Sequence, residues 1–358
     1  SKGHALRPVS YGTELVTNGD GSSTDGWTTA NTTLSIVSEA LRVTATGSSA
    51  TASQGVSTVV GKVYKFSASL NGGTAVDQIR VGTAINTATG GGSLTSTGEF
   101  VFVATTSTTY ITLKAGDVSG LYADFDNISV KEVLFDQPDG TLTLFEHPEN
   151  VPRVEYDADG NRLGLLVEEQ RVNLALNSND LAADWSEQAT TATLTQDVVG
   201  PDGKISAWTL VDDNSGGTAS TVGIQENLTF ASGGTYAISI FAKADGLNWI
   251  YFSNVLFDGG TDLNYFDLEN VALGASNPNT CFIEDVGNGW RRCTQVMTTT
   301  TDLSGIIVIK VANSDGDITV DLDGTSSVQL YGFQIEAGSF PTSYMKNEGT
   351  PSGATRSA

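Results

Sequence analysis

Gly164–Trp185 reads GLLVEEQRVNLALNSNDLAADW, and Val328–Tyr344 reads VQLYGFQIEAGSFPTSY. The first is expected to form a buried apolar strand, an acidic break and an Asn-rich turn before a lone Trp. The second alternates apolar and polar residues before a Gly-Ser-Phe-Pro exit, as a strand with one buried face does. No catalytic cluster assembles between them. The two stretches are therefore read as the opening and closing strands of one β-domain.

Working outward, the chain repeats itself weakly but in consistent order. Glu14–Asp20 (ELVTNGD), leading to Trp27, matches Asn173–Asp180 (NLALNSND), leading to Trp185. Gly61–Ser69 (GKVYKFSAS) matches Gly234–Ala242 (GTYAISIFA), and Gly98–Ala104 matches Gly289–Val296. Tyr110–Lys114 then matches Gly305–Val311, and Asp124–Val130 (DFDNISV) matches Val328–Ile335. Short strands at regular spacing with turn signals between them predict an all-β chain of two tandem antiparallel β-sandwich domains. The expected division is an N-terminal segment 1–12, a first sandwich 13–133, a small β-connector 134–172, a second sandwich 173–346 and a tail 347–358. The connector carries the turn formers Pro138-Asp139-Gly140 and Asp157–Asn161 between extended runs and is too apolar for disorder. The tail is small and polar and is expected to be loose unless a neighbour holds it.

Composition agrees. The 358 residues are 39% hydrophobic and only 16% charged, with 40 Gly and 8 Pro, and no window keeps a 3.6-residue apolar period for three turns. The formal charge of −23 repels phosphate backbones, so nucleic acid is not an expected partner. Such acidity serves solubility, or calcium binding by surface carboxylates. Cys281 and Cys293 flank CFIEDVGNGWRRC, a predicted hairpin, and are expected as free buried thiols. No apolar run reaches membrane length, so no membrane insertion is expected, and no signal peptide is visible. The opening SKGH lacks Met, as a processed or trimmed start would.

Chemistry is sparse. His4 and His147 have no partners at triad or metal-ligand spacing and read as structural or solvent-facing. Glu168 and Glu169 alternate across a strand, and Glu284-Asp285 precedes a turn, so neither pair converges on a substrate. A glycosidase needs two acids from distant strands about 5–9.5 Å apart, a separation that sequence does not give. The glycine runs Gly90–Gly92 and Gly216-Gly217 lack the Lys-Ser/Thr and helix of a phosphate cradle and read as loop tips. No enzymatic activity is expected.

Two binding candidates stand out. Asn313-Ser314-Asp315-Gly316-Asp317, followed by Asp321 and Asp323, imitates the first half of a calcium loop but lacks its closing glutamate. A β-turn is the competing account. Trp249, Tyr251, Phe257 and Tyr265 are interleaved with Asn248, Asn254, Asp258, Asp262 and Asn264. Rings stack on pyranose faces while amides and acids bond the hydroxyls, so Trp249, Tyr251, Tyr265 and Asp262 are the expected carbohydrate-binding residues. Core filling is the competing account, and it is the one taken for Trp27 and Trp185.

The segments GLLVEEQRVNL (Gly164–Leu174) and EAGSFPTSY (Glu336–Tyr344) resemble the opening and closing segments of a domain found in many tailed-phage structural proteins. The likeness covers residues 150–345. The first repeat, with its Asn-Gly-Asp turn and DFDNISV strand, resembles the jelly-roll carbohydrate-binding modules of polysaccharide-degrading enzymes over residues 13–133. That second resemblance implies a structural calcium between the opening turn and the last strand, here at Asp20 and Asp126, although no Phe follows the Asp20 turn. The phage resemblance implies a non-enzymatic virion structural protein on the virion surface, such as a tail fibre, head fibre or other appendage. Its implied partners are cell-surface glycans and other virion proteins, and its implied assembly is a homo-oligomer, a trimer above all. The alternative is a secreted tandem carbohydrate-binding protein or an accessory module of a polysaccharide-degrading enzyme. A glycan lyase or hydrolase is a third reading.

Overall fold

The computed structural model describes residues 3–149, 151–183, 185–188, 193–213, 221–255, 261–275, 277–300 and 304–356. Among them the regular structure is strand throughout. They divide into two compact units: Val9–Gly140, and the residues up to Pro8 together with those from Thr141 onward. Each unit is an antiparallel β-sandwich. Among the described residues no helix is long and apolar enough to cross a membrane.

In the unit Val9–Gly140, strand Tyr122–Phe135 is central to one sheet. Ala40–Ala45 and then Thr32–Val37 lie to one side of it, and Val63–Gly73 and then Gly98–Val103 to the other. The facing sheet runs Thr28–Ala30, Thr51–Ser57, Thr108–Ala115, Asp77–Gly82, Gly92–Leu94. Strand alternation decides which side chains go inward. Tyr64, Phe66 and Ala68 enter the core, where Tyr64 lies 5.8 Å from Phe102 and Phe66 lies 5.2 Å from Phe100, centroid to centroid, across the ladder. Lys65, between them, points outward and pairs with Glu99 at 2.6 Å.

The other unit repeats this order. Ser327–Ala337 is central, with Ile205–Val211 and Thr193–Val199 on one side and Thr235–Asp245, Trp290–Thr298 and Thr280–Asp285 on the other. Its facing sheet runs Ser186–Gln188, Gly223–Thr229, Ser304–Ala312, Trp249–Val255, Thr261–Asp267, Ala272–Leu273. The four later repeat matches join strands in equivalent places, so the echo is a repeat of topology, whereas Glu14–Asp20 and Leu174–Asp180 lie outside strands. Trp27 and Trp185 are buried in the respective cores, and Trp185 meets Phe333 edge-on at 4.6 Å. Cys281 and Cys293 are free, on neighbouring strands but not opposite one another, because Cys281 faces Gln295 and Cys293 faces Ile283.

Two expectations need correction and one open choice is settled. The stretch from Gly164 is not a buried strand. Among the described residues Arg162–Leu165 pairs only with Val154–Tyr156 in a two-stranded ribbon, and Leu165 and Val167 are 63% and 82% exposed. The tail is held by a neighbour, the second of its two expected states: Ala354–Arg356 pairs with Arg171–Asn173 and Arg356 is buried. The connector is not separate either: from Thr141 it belongs to the second unit. The strand Thr235–Asp245 is buried on both faces, which is why it reads as a near-continuous apolar run. Phe241, Trp290 and Tyr331 on its outer side pack with Leu144 of the connector and Tyr344 of the closing segment. Each such buried aromatic contributes about 1.5–3 kcal/mol, so this small second core fixes the connector in place.

Candidate functional site

The expected sugar-binding rings are only partly available. Tyr251 and Tyr265 face each other across paired strands and stack at 4.9 Å and 26°. They are 1% and 5% exposed, so neither offers an open ring face, contrary to the expectation of a surface platform. The cause is the Asn313–Val320 segment together with Ala275 and Asn277. Tyr251 Oη donates to the Ile318 carbonyl at 3.5 Å, Tyr265 N donates to Asn277 Oδ1 at 2.7 Å, and Asp315 Oδ2 accepts from Ala275 N at 2.9 Å. Trp249 on the same face is half-buried. Asp262, also half-buried, accepts from Asn279 Nδ2 at 3.0 Å. Asn254 and Asn264 turn into the sandwich instead. Phe257, Asp258 and Gly216-Gly217 lie outside the described residues.

The acidic candidates disperse. Asp317 caps its own turn, accepting from Thr319 N and Oγ1 at 2.9 and 2.7 Å, as a β-turn residue does. Asp20 accepts from Ser22 N at 3.1 Å and Ser22 Oγ at 2.6 Å, and those two bonds hold its carboxyl below its usual range. Asp126 accepts from Asn127 N and Nδ2 at 2.6 and 3.1 Å. Among the described residues none of Asp20, Asp126, Asp315 and Asp317 joins a group of three ligating side chains. Asp321 and Asp323 do, with Asp212, which the sequence did not single out. Burial pushes Asp212 up to about 7, with Asp323 and Asp321 adding to the effect.

A cavity of about 360 Å³ in the second unit was not foreseen. It is lined by the rings of Tyr156, Phe241 and Tyr344 and by Glu155, Glu168, Glu284 and Arg292. The segments that carry the phage resemblance both contribute, through Leu166 and Glu168 and through Pro341–Tyr344. That was the one signal in the sequence. Glu155 Oε1 accepts from Leu6 N at 3.0 Å, yet burial dominates and pushes its carboxyl up to about 7, helped by Glu284 and Glu168. Burial works in the same sense on Glu168, but the Ser343 hydroxyl and amide, with Arg356 and Arg153, outweigh it and hold that carboxyl low. Arg292 is buried, donating to the Thr342 carbonyl at 2.6 Å and to Ser239 Oγ at 3.1 Å, with its plane 5.4 Å from the Phe241 ring. Its Nε–H has no acceptor among the described residues. The cavity combines the apolar side chains of Leu163, Leu166 and Pro341 with a carboxyl that is largely neutral at acidic pH, while Phe241, Tyr344 and Arg292 form its enclosed wall. Its size is within the range of small-molecule sites, about 300–1,000 Å³.

No protein-family model and no curated protein matches the chain. Among solved structures it is similar to the N-terminal CBM22-1–CBM22-2 tandem domain of Paenibacillus barcinonensis Xyn10C, at 13% identity and TM-score 0.29, covering 94% of this chain and 100% of that one. It is also similar to the enzymatically active domain of bacteriophage CBA120 tailspike protein 4, at 12% identity and TM-score 0.30, covering 47% of this chain and 22% of that one. The ANXUR2 extracellular domain of Arabidopsis thaliana is similar at 12% identity and TM-score 0.26, covering 94% of this chain and 89% of that one. At these TM-scores the fold assignment stands on strand pairing and not on the likenesses.

Proposed function

We propose that the chain is a non-enzymatic glycan-binding structural protein, and that the cavity beside Glu155 and Arg292 takes one sugar unit of the glycan. The observation that carries this reading is a cavity of about 360 Å³ in which the half-buried carboxyl of Glu155, pushed up to about 7, stands with the apolar side chains of Leu163, Leu166 and Pro341. A pyranose offers C–H groups to that apolar lining and hydroxyls to the Glu155 carboxyl. The resemblance of the two cavity-lining segments to tailed-phage structural proteins supports a virion appendage, displayed on the particle surface as a homo-oligomer. A secreted glycan-binding protein is the alternative setting.

One observation favours a hydrolase instead. Glu155 is raised to about 7 while Glu168 is held low, the contrast that acid–base pairs use. Against it, both Glu168 oxygens are engaged by Ser343, and Arg153 stands 3.0 Å from Oε2, so neither is free for a water or an anomeric carbon.

Glycan-array binding by the intact chain tests the proposal. Binding should weaken about tenfold or more in Glu155→Gln and stay unchanged in Trp249→Ala. Loss confined to Trp249→Ala moves the site to the sheet face, and no binding at all ends the glycan reading. Release of new sugar ends from the bound polysaccharide would favour the hydrolase.

A further inference from the structure

Asp212 ends the strand Ile205–Val211 and is fully buried, at 0% exposure. Its backbone is fixed by the bond from Asp212 N to the Ser326 carbonyl at 2.9 Å, and its Oδ1 accepts from Gly324 N at 3.1 Å. Its Oδ2 is shut from solvent and has no donor among the described residues. Asp321 and Asp323 are exposed and bring one carboxylate oxygen each to within 4.8 Å of Asp212 and of each other. Asp323 is already oriented, with Oδ1 accepting from Thr325 N and Ser326 N, both at 2.7 Å, and Oδ2 accepting from Ser326 Oγ at 2.8 Å. A buried carboxylate oxygen without a donor is costly, and two more carboxylates beside it raise the cost, unless a positive charge occupies the space between them.

We propose that Asp212, Asp321 and Asp323 form a binding site for a divalent cation, calcium by preference. Calcium takes oxygen ligands at about 2.3–2.6 Å, so two oxygens sharing one ion stand at most about 5 Å apart, and the three carboxylates meet that limit. Three hard anionic oxygens, with no His or Cys in the group among the described residues, select against zinc and copper. The ion would tie the end of Ile205–Val211 to the loop entering Ser327–Ala337, the central strand of the sheet. This site is independent of the glycan reading, and neither depends on the other.

The intact chain, freed of metal with EDTA and dialysed, is titrated with CaCl2 and separately with MgCl2 by calorimetry and by thermal melting. Saturable calcium binding in the micromolar to millimolar range is expected, with a rise in melting temperature and a weaker magnesium response. Asp321→Asn, at an exposed position that leaves the fold intact, should weaken calcium binding at least tenfold, and Asp212→Asn should abolish the thermal response. Asp20→Asn serves as the control and should leave both unchanged. Heat-flow and melting curves indifferent to calcium up to about 10 mM overturn the proposal. So does a full calcium response in Asp321→Asn, and so does an Asp212→Asn chain that melts higher than the parent in EDTA while the parent ignores calcium, which would mean a proton shared between the carboxylates.

Discussion

Glu168 and Ser343, 175 positions apart in the chain, are joined by two hydrogen bonds: Ser343 N donates to Glu168 Oε1 at 2.7 Å and Ser343 Oγ donates to Oε2 at 2.6 Å. Arg153 and Arg356 stand 3.0 and 3.2 Å from the same Oε2. One residue earlier, Thr342 bonds both oxygens of the buried Glu336 at 2.7 and 2.6 Å. The Thr-Ser pair of the closing segment is thus clamped between two carboxylates, one from its own strand and one from the opening segment. The chain closes the domain through polar contacts that an apolar-pattern search does not detect.

Removing that clamp should be expensive. Glu168→Ala leaves the nearly buried Arg356 without its counter-charge and Ser343 without its acceptor, and should destabilise the second unit by about 2–4 kcal/mol. Glu168→Gln keeps the acceptor but loses the charge and should cost less. Urea unfolding followed by tryptophan fluorescence measures both. A loss below about 0.5 kcal/mol for Glu168→Ala would show the clamp to be incidental.

Glu155 should impose a pH slope. Its folded-state carboxyl sits at about 7 against an ordinary 4.5, so between those values the folded chain holds a proton that the unfolded chain has lost. Stability from this group is therefore fully present below about pH 4.5 and is lost as pH rises through about 7, reversing the usual carboxylate behaviour. Because Glu155 is only half-buried, solvent screening reduces the effect to roughly 1–3 kcal/mol. Unfolding free energies from pH 4.5 to 8 should fall less steeply in Glu155→Gln than in the parent. Parallel profiles would mean that Glu155 titrates normally.

How much of this was legible in the sequence differs by layer. Period-two alternation in Lys62–Ser69 gave the strand and its inward face, because one side of that sheet meets water. The matching positions of Trp27 and Trp185 in the two repeats located both in the cores. The pattern failed at Gly164–Val167, where Leu165 and Val167 stand exposed, since hydrophobicity alone does not say whether anything lies opposite. It failed again for Tyr251 and Tyr265, which stand on the outer face of a strand as their spacing implied but are roofed by a loop some 60 residues further on. Asp212 was invisible because its partners, Asp321 and Asp323, lie more than 100 positions away, and only strand pairing of Ile205–Val211 with Ser327–Ala337 brings them together.

The two thiols should be inert in the folded chain. Burial pushes Cys281 up to about 12 and raises Cys293 as well, so almost no thiolate exists near pH 8, and the thiolate is the reactive form. Titration with a disulfide reagent at pH 8 should detect neither thiol in native protein and both in guanidinium. Rapid modification of one native thiol would show that the hairpin opens locally far more often than its burial implies.

Gln295 forms a polar link inside the second sandwich and should be the most sensitive position there. Its Nε2 donates to Asn254 Oδ1 at 2.6 Å, and its Oε1 accepts from Asn264 Nδ2 at 2.9 Å, joining strand Trp290–Thr298 of one sheet to two strands of the other. Asn264 Oδ1 in turn accepts from Asn279 N at 3.1 Å. A satisfied buried network fixes one register between facing layers, whereas a broken one strands polar atoms away from water. Gln295→Met keeps the shape and orphans an amide on each of Asn254 and Asn264, so it should cost about 2–4 kcal/mol although it makes the core more apolar. Replacing Asn254, Asn264 and Gln295 together by apolar residues of similar size should recover much of that loss, because no orphan then remains. If Gln295→Met alone proves neutral or stabilising in urea unfolding, the amides find water inside the sandwich and the link does not set its register.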